Sequence, residues 1–255
     1  MVKRSVVAIG LVAVLCGPAL AGGNLVVNGS FEQTSLTAPG QISPTNVTGW
    51  SSTGYNFLYF PGTDTSTNGT VNPSGVSLYG PQPASSPDGG NFIADDGAYG
   101  VGAVSQTVNG LAKGTNYMLT FWWAAAQQTG FTGSTTENWQ VSLGSQTNAT
   151  ATVTNPSGGF TPWAQVSMVF SATSTSQVLS FLAAGTPNGQ PPFSLLDGVT
   201  LTAAPEPSAV ALLLTGVAAL GVFGWRRRAR AMMGAVPGLT LSATLGAKLG
   251  ATSGA

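Results

Sequence analysis

The chain has 255 residues, of which 8 are basic and 8 acidic, so charged residues make up 6% where an average soluble domain carries about 25%. With 43% hydrophobic and 9% aromatic residues it is not a disordered polyampholyte, and its 35 glycines and 16 prolines lack the three-residue period of collagen. Histidine is absent, which removes the usual neutral-pH proton shuttle and the commonest metal ligand. The charges are also segregated. Lys3 and Arg4 stand at the start, seven acids face Lys113 alone between residues 22 and 204, and Arg226, Arg227, Arg228, Arg230 and Lys248 outweigh Glu206 beyond. A body with one cation cannot neutralise a phosphate backbone, so nucleic acid is excluded as a partner.

Met1 to Arg4, the apolar run from Val6 to Leu15 and the triplet Ala19-Leu20-Ala21 have the three regions of a secretory signal peptide, with cleavage expected after Ala21. The single cysteine, Cys16, lies within residues 1–21, and Leu15 before it is not the small residue that lipidation needs. The exported chain therefore has no thiol for nucleophilic catalysis, disulfides or zinc. It must hold together by burial alone.

Between residues 24 and 203 no helix-period segment reaches ten residues, whereas short alternating runs bounded by turn residues recur. Leu25-Val26-Val27 opens the body and leads into Asn28-Gly29-Ser30-Phe31-Glu32. Tyr55, Phe57 and Tyr59 share one face of the next run, which Pro61-Gly62 closes; Val76 to Tyr79, Asn91 to Ala94 and Val101 to Val108 follow. After turns at Asn109-Gly110 and Lys113-Gly114 comes the clearest strand, Tyr117 to Trp123. Its alternation puts Tyr117, Leu119, Phe121 and Trp123 on one face and Trp122 on the other. Later runs are Trp139 to Leu143, Thr150 to Thr154, Trp163 to Ala172 with Val166, Met168 and Phe170 in phase, Val178 to Ala183, and Leu195 to Thr202. About ten short strands predict an all-β sandwich whose outer faces are clothed in Ser, Thr, Asn and Gln, which accounts for the low charge. Asn24 to Glu32 with Trp50, Val104 to Val108 followed by Leu111 to Tyr117, and Leu195-Leu196-Asp197-Gly198-Val199-Thr200-Leu201 are together similar to galactose-binding-like jelly rolls. That resemblance, shared with carbohydrate-binding modules, implies a jelly-roll β-sandwich over residues 24–203.

Beyond the body stand Pro205-Glu206-Pro207, then 17 uncharged residues from Ala209 to Trp225, then four arginines within five positions. At about 1.5 Å per residue, that run is just long enough for a transmembrane helix, and the arginines would hold its end in the cytoplasm. Two prolines fix φ and withhold donors, keeping the tripeptide extended for a protease to read. The trio, over residues 205–230, resembles the PEP-CTERM sorting signal of Gram-negative bacteria. The resemblance implies recognition by an exosortase in the inner membrane, cleavage near the tripeptide, and a cell-surface or matrix destination associated with exopolysaccharide and biofilm. Residues 231–255, a low-complexity stretch with only Lys248 charged, extend past that pattern.

For chemistry in the body, Asp95-Asp96 is the obvious carboxylate pair. In a strand the two would point to opposite faces and could not flank one glycosidic bond. With no His or Cys to build a nucleophile, the protein is expected to be non-enzymatic. A divergent carbohydrate-active enzyme using Asp95, Asp96 or Glu137 is the alternative, and a ligand-free adhesin or spacer the third reading. No cofactor is expected. Calcium would find oxygen ligands in Glu32, Asp95, Asp96 and Asp197, but ordinary Asp turns are the preferred reading of Asp95-Asp96-Gly97. Trp122, Trp139 and Trp163 are candidate sugar-stacking platforms, set against the alternative that large aromatics belong to the core.

Overall fold

Alternation of apolar and polar residues resolves into twelve strands and, among the described residues, no helix. The computed structural model describes residues 23–61, 76–80 and 86–204. The expected signal peptide with Ala19 and Ala21, the Pro205-Glu206-Pro207 tripeptide, the 209–225 span, Arg226, Arg227, Arg228 and Arg230, and the 231–255 extension lie outside them. In chain order the strands are β1 (Gly40–Gln41), β2 (Ser51–Ser52), β3 (Asn56–Tyr59), β4 (Phe92–Asp96), β5 (Val104–Asn109), β6 (Asn116–Gln127), β7 (Thr135–Leu143), β8 (Gln146–Ala149), β9 (Val153–Asn155), β10 (Ala164–Ser171), β11 (Ser176–Thr186) and β12 (Pro192–Ala203).

All pairings are antiparallel and form two sheets. One is ordered β1-β3-β4-β12-β6-β10; the other is β2-β5-β11-β7-β8, with β9 also paired to β7. Late strands insert between early ones, β12 between β4 and β6 and β11 between β5 and β7, which is the crossing pattern of a jelly roll. The all-β sandwich read from the sequence is the fold observed.

The core between the sheets takes Tyr117, Leu119, Phe121 and Trp123 from β6, as their phase requires, with Met168 and Phe170 of β10 and Trp139, Val141, Leu179 and Phe181 opposite. Phe181 is its centre, edge-on to Phe121 at 5.2 Å and to Trp139 at 5.9 Å. A second apolar layer lies on the outer face of the β6 sheet. There Phe57, Tyr59, Phe92, Ala124, Ala126, Phe193 and Leu195 are roofed by residues 76–79 and 159–163. Tyr55, Phe57 and Tyr59 thus share a face as expected, but it is this outer one. The roof is hydrogen-bonded down: Tyr79 N to Gln127 O at 2.8 Å and Thr161 N to Ala125 O at 2.8 Å.

The opening and closing motifs of the body meet in space. Leu25 N donates to Leu201 O at 2.9 Å and Val199 N to Gly29 O at 3.0 Å. The Asn28 amide bridges Gln33 O and Thr48 O, while the Trp50 indole donates to Asn28 O at 2.9 Å. A Cβ on Gly29 would stand 2.0 Å from Val199 O, so this crossing demands glycine.

Three strands were not foreseen. β1 and β2 have two residues each, and β8 is Gln-Thr-Asn-Ala and mostly exposed, so none carries an alternating signal. β6 also outruns its expected end at Trp123, because Ala124-Ala125-Ala126 gain their strand conformation from pairing with β12 rather than from propensity.

At one end the two sheets close on each other through backbone. Gly185 N donates to Gly97 O at 3.0 Å, and Gly97 N to Pro192 O at 2.8 Å. A Cβ on Gly97 would meet Gly185 N at 2.6 Å, with no flexible side chain to give way. Gly97→Ala is therefore expected to cost about 1–3 kcal/mol as a lower urea midpoint; an unchanged midpoint would mean that this closure is not tight.

Candidate functional site

Beside that closure the chain leaves β4 through Asp95, Asp96 and Gly97. Strand alternation sends Asp95 into the space between the sheets, in register with Asn56 and Ser194, and Asp96 to the opposite face. The two carboxylates therefore do not flank one substrate. Asp95 is fully buried and neither of its oxygens has a hydrogen-bond partner; burial, then the nearby Asp96 charge, push its pKa well above the usual carboxylate range. Asp96 is 1% exposed, and its Oδ1 accepts from Ala98 N at 2.8 Å and Tyr99 N at 3.0 Å. Burial raises its pKa too, against the lowering effect of those two N–H groups.

Asp96 forms part of the wall of a cleft of about 280 Å³ with Tyr55, Tyr99, Phe131, Gln128 and Pro191. Tyr55 stands edge-on to Tyr99 at 5.4 Å and to Phe57 at 4.5 Å. Its backbone N donates to Gly100 O at 2.8 Å, which pins the Tyr99 loop to the strand. Burial, then Tyr99 and Asp96, raise the Tyr55 pKa. Tyr99 itself is 64% exposed at the rim. Sequence reading placed Asp96 among its candidates but missed the cleft, because Tyr99, Phe131 and Pro191 come from Gly- and Pro-rich loops without periodicity. A large aromatic in the Gly97–Gly102 stretch was the signal available. A second hollow, of about 350 Å³, is lined by Ser51, Ser105, Thr107 and Val178 without any charged group, and its Trp50 is only 2% exposed.

The tryptophans separate. Trp139 is fully buried, its indole donating to Leu195 O at 3.1 Å, so it is a core residue and not a sugar platform. Trp163 packs edge-on against Phe92 at 5.6 Å within the outer apolar layer. Trp122 is half-buried on the same outer face, in register with Gln165 and Asp197, and is the one whose phase predicted its direction.

Of the remaining carboxylates, Glu137 stands by itself and Asp197 has Asp88 and Glu32 nearby. Glu137 points between the sheets; Thr135 donates to its Oε1, its Oε2 has no partner, and burial pushes its pKa to about 7. Asp197 accepts from the Ser86 hydroxyl and from Gly198 N at 2.7 Å; burial, and the nearby Asp88 and Glu32 charges, leave its pKa at about 8. Glu32 accepts from Asn91 N at 2.5 Å. Asp197 thus has Asp88 and Glu32 near it, while Asp95 and Asp96 are neighbours at the end of β4. Among the described residues no three carboxylate, thiol or imidazole groups are placed to hold a metal ion.

A family model described as HpiC1-like, HpiC1 cyclase, matches residues 24–182, and one described as the PEP-CTERM protein-sorting motif matches residues 203–228. The latter marks a secreted, exosortase-processed precursor that is anchored in a membrane. No curated protein matches the chain. Among solved structures it is similar to a TmCBM61 module in complex with β-1,4-galactotriose, at 16% identity over 71% of this chain and 99% of that one, TM-score 0.41. It is also similar to the CBM22-1 xylan-binding domain of Paenibacillus barcinonensis Xyn10C, at 12% identity over 73% and 97%, TM-score 0.39. A third is the K3 adhesin domain of Lys-gingipain from Porphyromonas gingivalis, at 13% identity over 74% and 100%, TM-score 0.37.

The raised carboxylate pKa values set the sign of the pH response. In the unfolded chain these groups ionise near their ordinary values of about 4; folded, they keep their protons to higher pH, so raising the pH favours unfolding across that interval. The stability they contribute is fully present below the unfolded values and is lost as pH rises through the folded ones, about 7 for Glu137 and about 8 for Asp197. Thermal unfolding should therefore begin at a lower temperature at alkaline pH than near pH 5. A melting temperature that is flat or rises over that range would contradict the burial described.

Proposed function

The chain belongs to the HpiC1-like family, and on that premise we propose that it is an exported, exosortase-sorted surface or matrix protein of a Gram-negative bacterium whose sandwich body binds polysaccharide without catalysis. The observation that carries the sorting half is the ordered trio of tripeptide, apolar span and arginine cluster, which falls inside the matched residues for all but Arg230. In this reading Pro205, Glu206 and Pro207 present the cleavage site, Arg226, Arg227, Arg228 and Arg230 hold the span in the inner membrane until an exosortase acts, and Ala19 and Ala21 mark the leader's removal. The binding half is supported by the aromatic cleft beside Asp96, with the half-buried Trp122 as a second ring on the outer face of the β6 sheet. An outer coat of neutral polar side chains suits contact with hydrated glycans, and exposed ring faces take the apolar faces of pyranoses.

A second reading is catalytic. The matched family takes its name from a cyclase, and Asp96, a carboxyl with a raised pKa in the wall of an apolar cleft, has the make-up of a proton donor. Under this reading the cleft turns over a small apolar substrate and Asp96→Asn abolishes product formation with binding kept. Under the first, no glycan is consumed at all.

Sorting is tested by tagging the body and replacing Pro205 and Glu206 by Ala. The tagged protein should then accumulate uncut in the inner membrane, with loss of the surface form by about tenfold or more. Unchanged products in an unchanged place would show that the tripeptide is not the signal.

A further inference from the structure

We propose that the cleft beside Asp96 is a site for a protonated amino sugar, with the Asp96 carboxylate pairing with the ammonium group and the Tyr55 and Tyr99 rings packing on the sugar. This rests on the polysaccharide reading above and names the class of glycan. The charge of the site is the first reason. Asp96 is the only carboxylate in the cleft wall, is 1% exposed, and has its Oδ1 already engaged by two backbone N–H groups that leave Oδ2 unused. A carboxylate so far removed from water gains strongly from a cation that arrives with the ligand. The described residues do not supply one: Lys113, the only basic residue among them, precedes the start of β6, whereas the cleft residue Gln128 follows its end, about 36 Å away at ~3.3 Å per residue.

The walls are the second reason. Tyr55 and Tyr99 meet at an interplanar angle of 89° with ring centroids 5.4 Å apart, so two aromatic surfaces stand at right angles beside the carboxylate. Ring faces attract cations and also take the flat apolar face of a pyranose. A neutral N-acetylated sugar would satisfy the rings but leave Asp96 desolvated and unpaired. Size is the third reason. About 280 Å³ lies at the small end of ligand sites, enough for one ring, and the exposed Tyr99 at the rim leaves room for neighbouring residues of a polymer to continue outside.

Binding in this form needs Asp96 ionised and the amine protonated. The titratable groups facing Asp96 are Tyr55 and Tyr99 in the cleft and Asp95 next to it in β4, none of them basic. Because burial holds the Asp96 pKa up, affinity for the amine should climb as pH rises through the acidic range and fall again as the amine deprotonates.

The test is calorimetric titration of the protein with a glucosamine tetramer, its fully N-acetylated counterpart, and Nα-acetyl-lysine amide. The free-amine tetramer should bind about tenfold or more tightly than the other two, and Asp96→Asn, whose Oδ1 can still accept from Ala98 and Tyr99, should abolish that preference. Tyr99→Ala, at an exposed position, should weaken the tetramer with the melting temperature kept. Equal affinity for the acetylated tetramer, unaltered binding by Asp96→Asn, or a preference for the lysine compound overturns the proposal. If neutral glycans bind and Asp96→Asn leaves them unaffected, the polysaccharide reading stands without this site. If no glycan of either kind binds, that reading falls as well.

Discussion

When this body folds, it takes carboxylates out of water without taking any cation in with them. Asp95, Asp96, Glu137 and Asp197 are buried, and the only cation among the described residues, Lys113, is exposed in a turn. Ion pairing is therefore closed to them, and each settles by keeping its proton or by collecting hydroxyl and backbone donors. Asp197 takes Ser86 and Gly198, Asp96 takes Ala98 and Tyr99, Glu137 takes Thr135, and Asp95 takes none. The same scarcity of cations leaves Asp96 available, within its aromatic cleft, to a positively charged ligand.

The cleft exists because of how the sandwich is closed. Gly97 and Gly185 let the two sheets touch backbone to backbone at that end, which seals Asp95 inside and turns the chain outward through Ala98 and Tyr99. The Asp96 carboxylate caps the turn it begins, and Gly100 O fastens the returning loop to Tyr55. A strand end, an Asp turn and two glycines thus place two tyrosines and a carboxylate together with few degrees of freedom left. At the opposite corner, the crossing of Gly29 over Val199 ties the first segment of the body to its last strand, which explains why the Asn28 to Glu32 and Asp197 to Leu201 motifs occur together.

Much of the fold was legible in the sequence because half-buried strands advertise themselves by alternation. Tyr117 to Trp123 and Val166 to Phe170 each fall where their phase puts them. β1, β2 and β8 were silent, being too short or mostly exposed, and the Ala124 to Ala126 extension is made by pairing alone. The outer apolar layer was hidden for a different reason: both faces of β3 and β4 are buried, so Tyr55, Phe57 and Tyr59 gave the right phase without saying which side was inside. The opposed directions of Asp95 and Asp96 followed from strand geometry. Their cleft did not, since its other walls come from loops whose approach is set by tertiary closure. Trp139 was misleading as a platform because a buried indole needs only one acceptor, and Leu195 O supplies it.

The central claim is that uncompensated burial, and not pairing, governs these acids. Carboxyl-carbon NMR titration of the protein reads that state residue by residue. Burial predicts that Glu137 titrates near 7 and Asp197 near 8, with Asp95 holding its proton well past the ordinary aspartate range. All three titrating near the ordinary values of about 4 would contradict it.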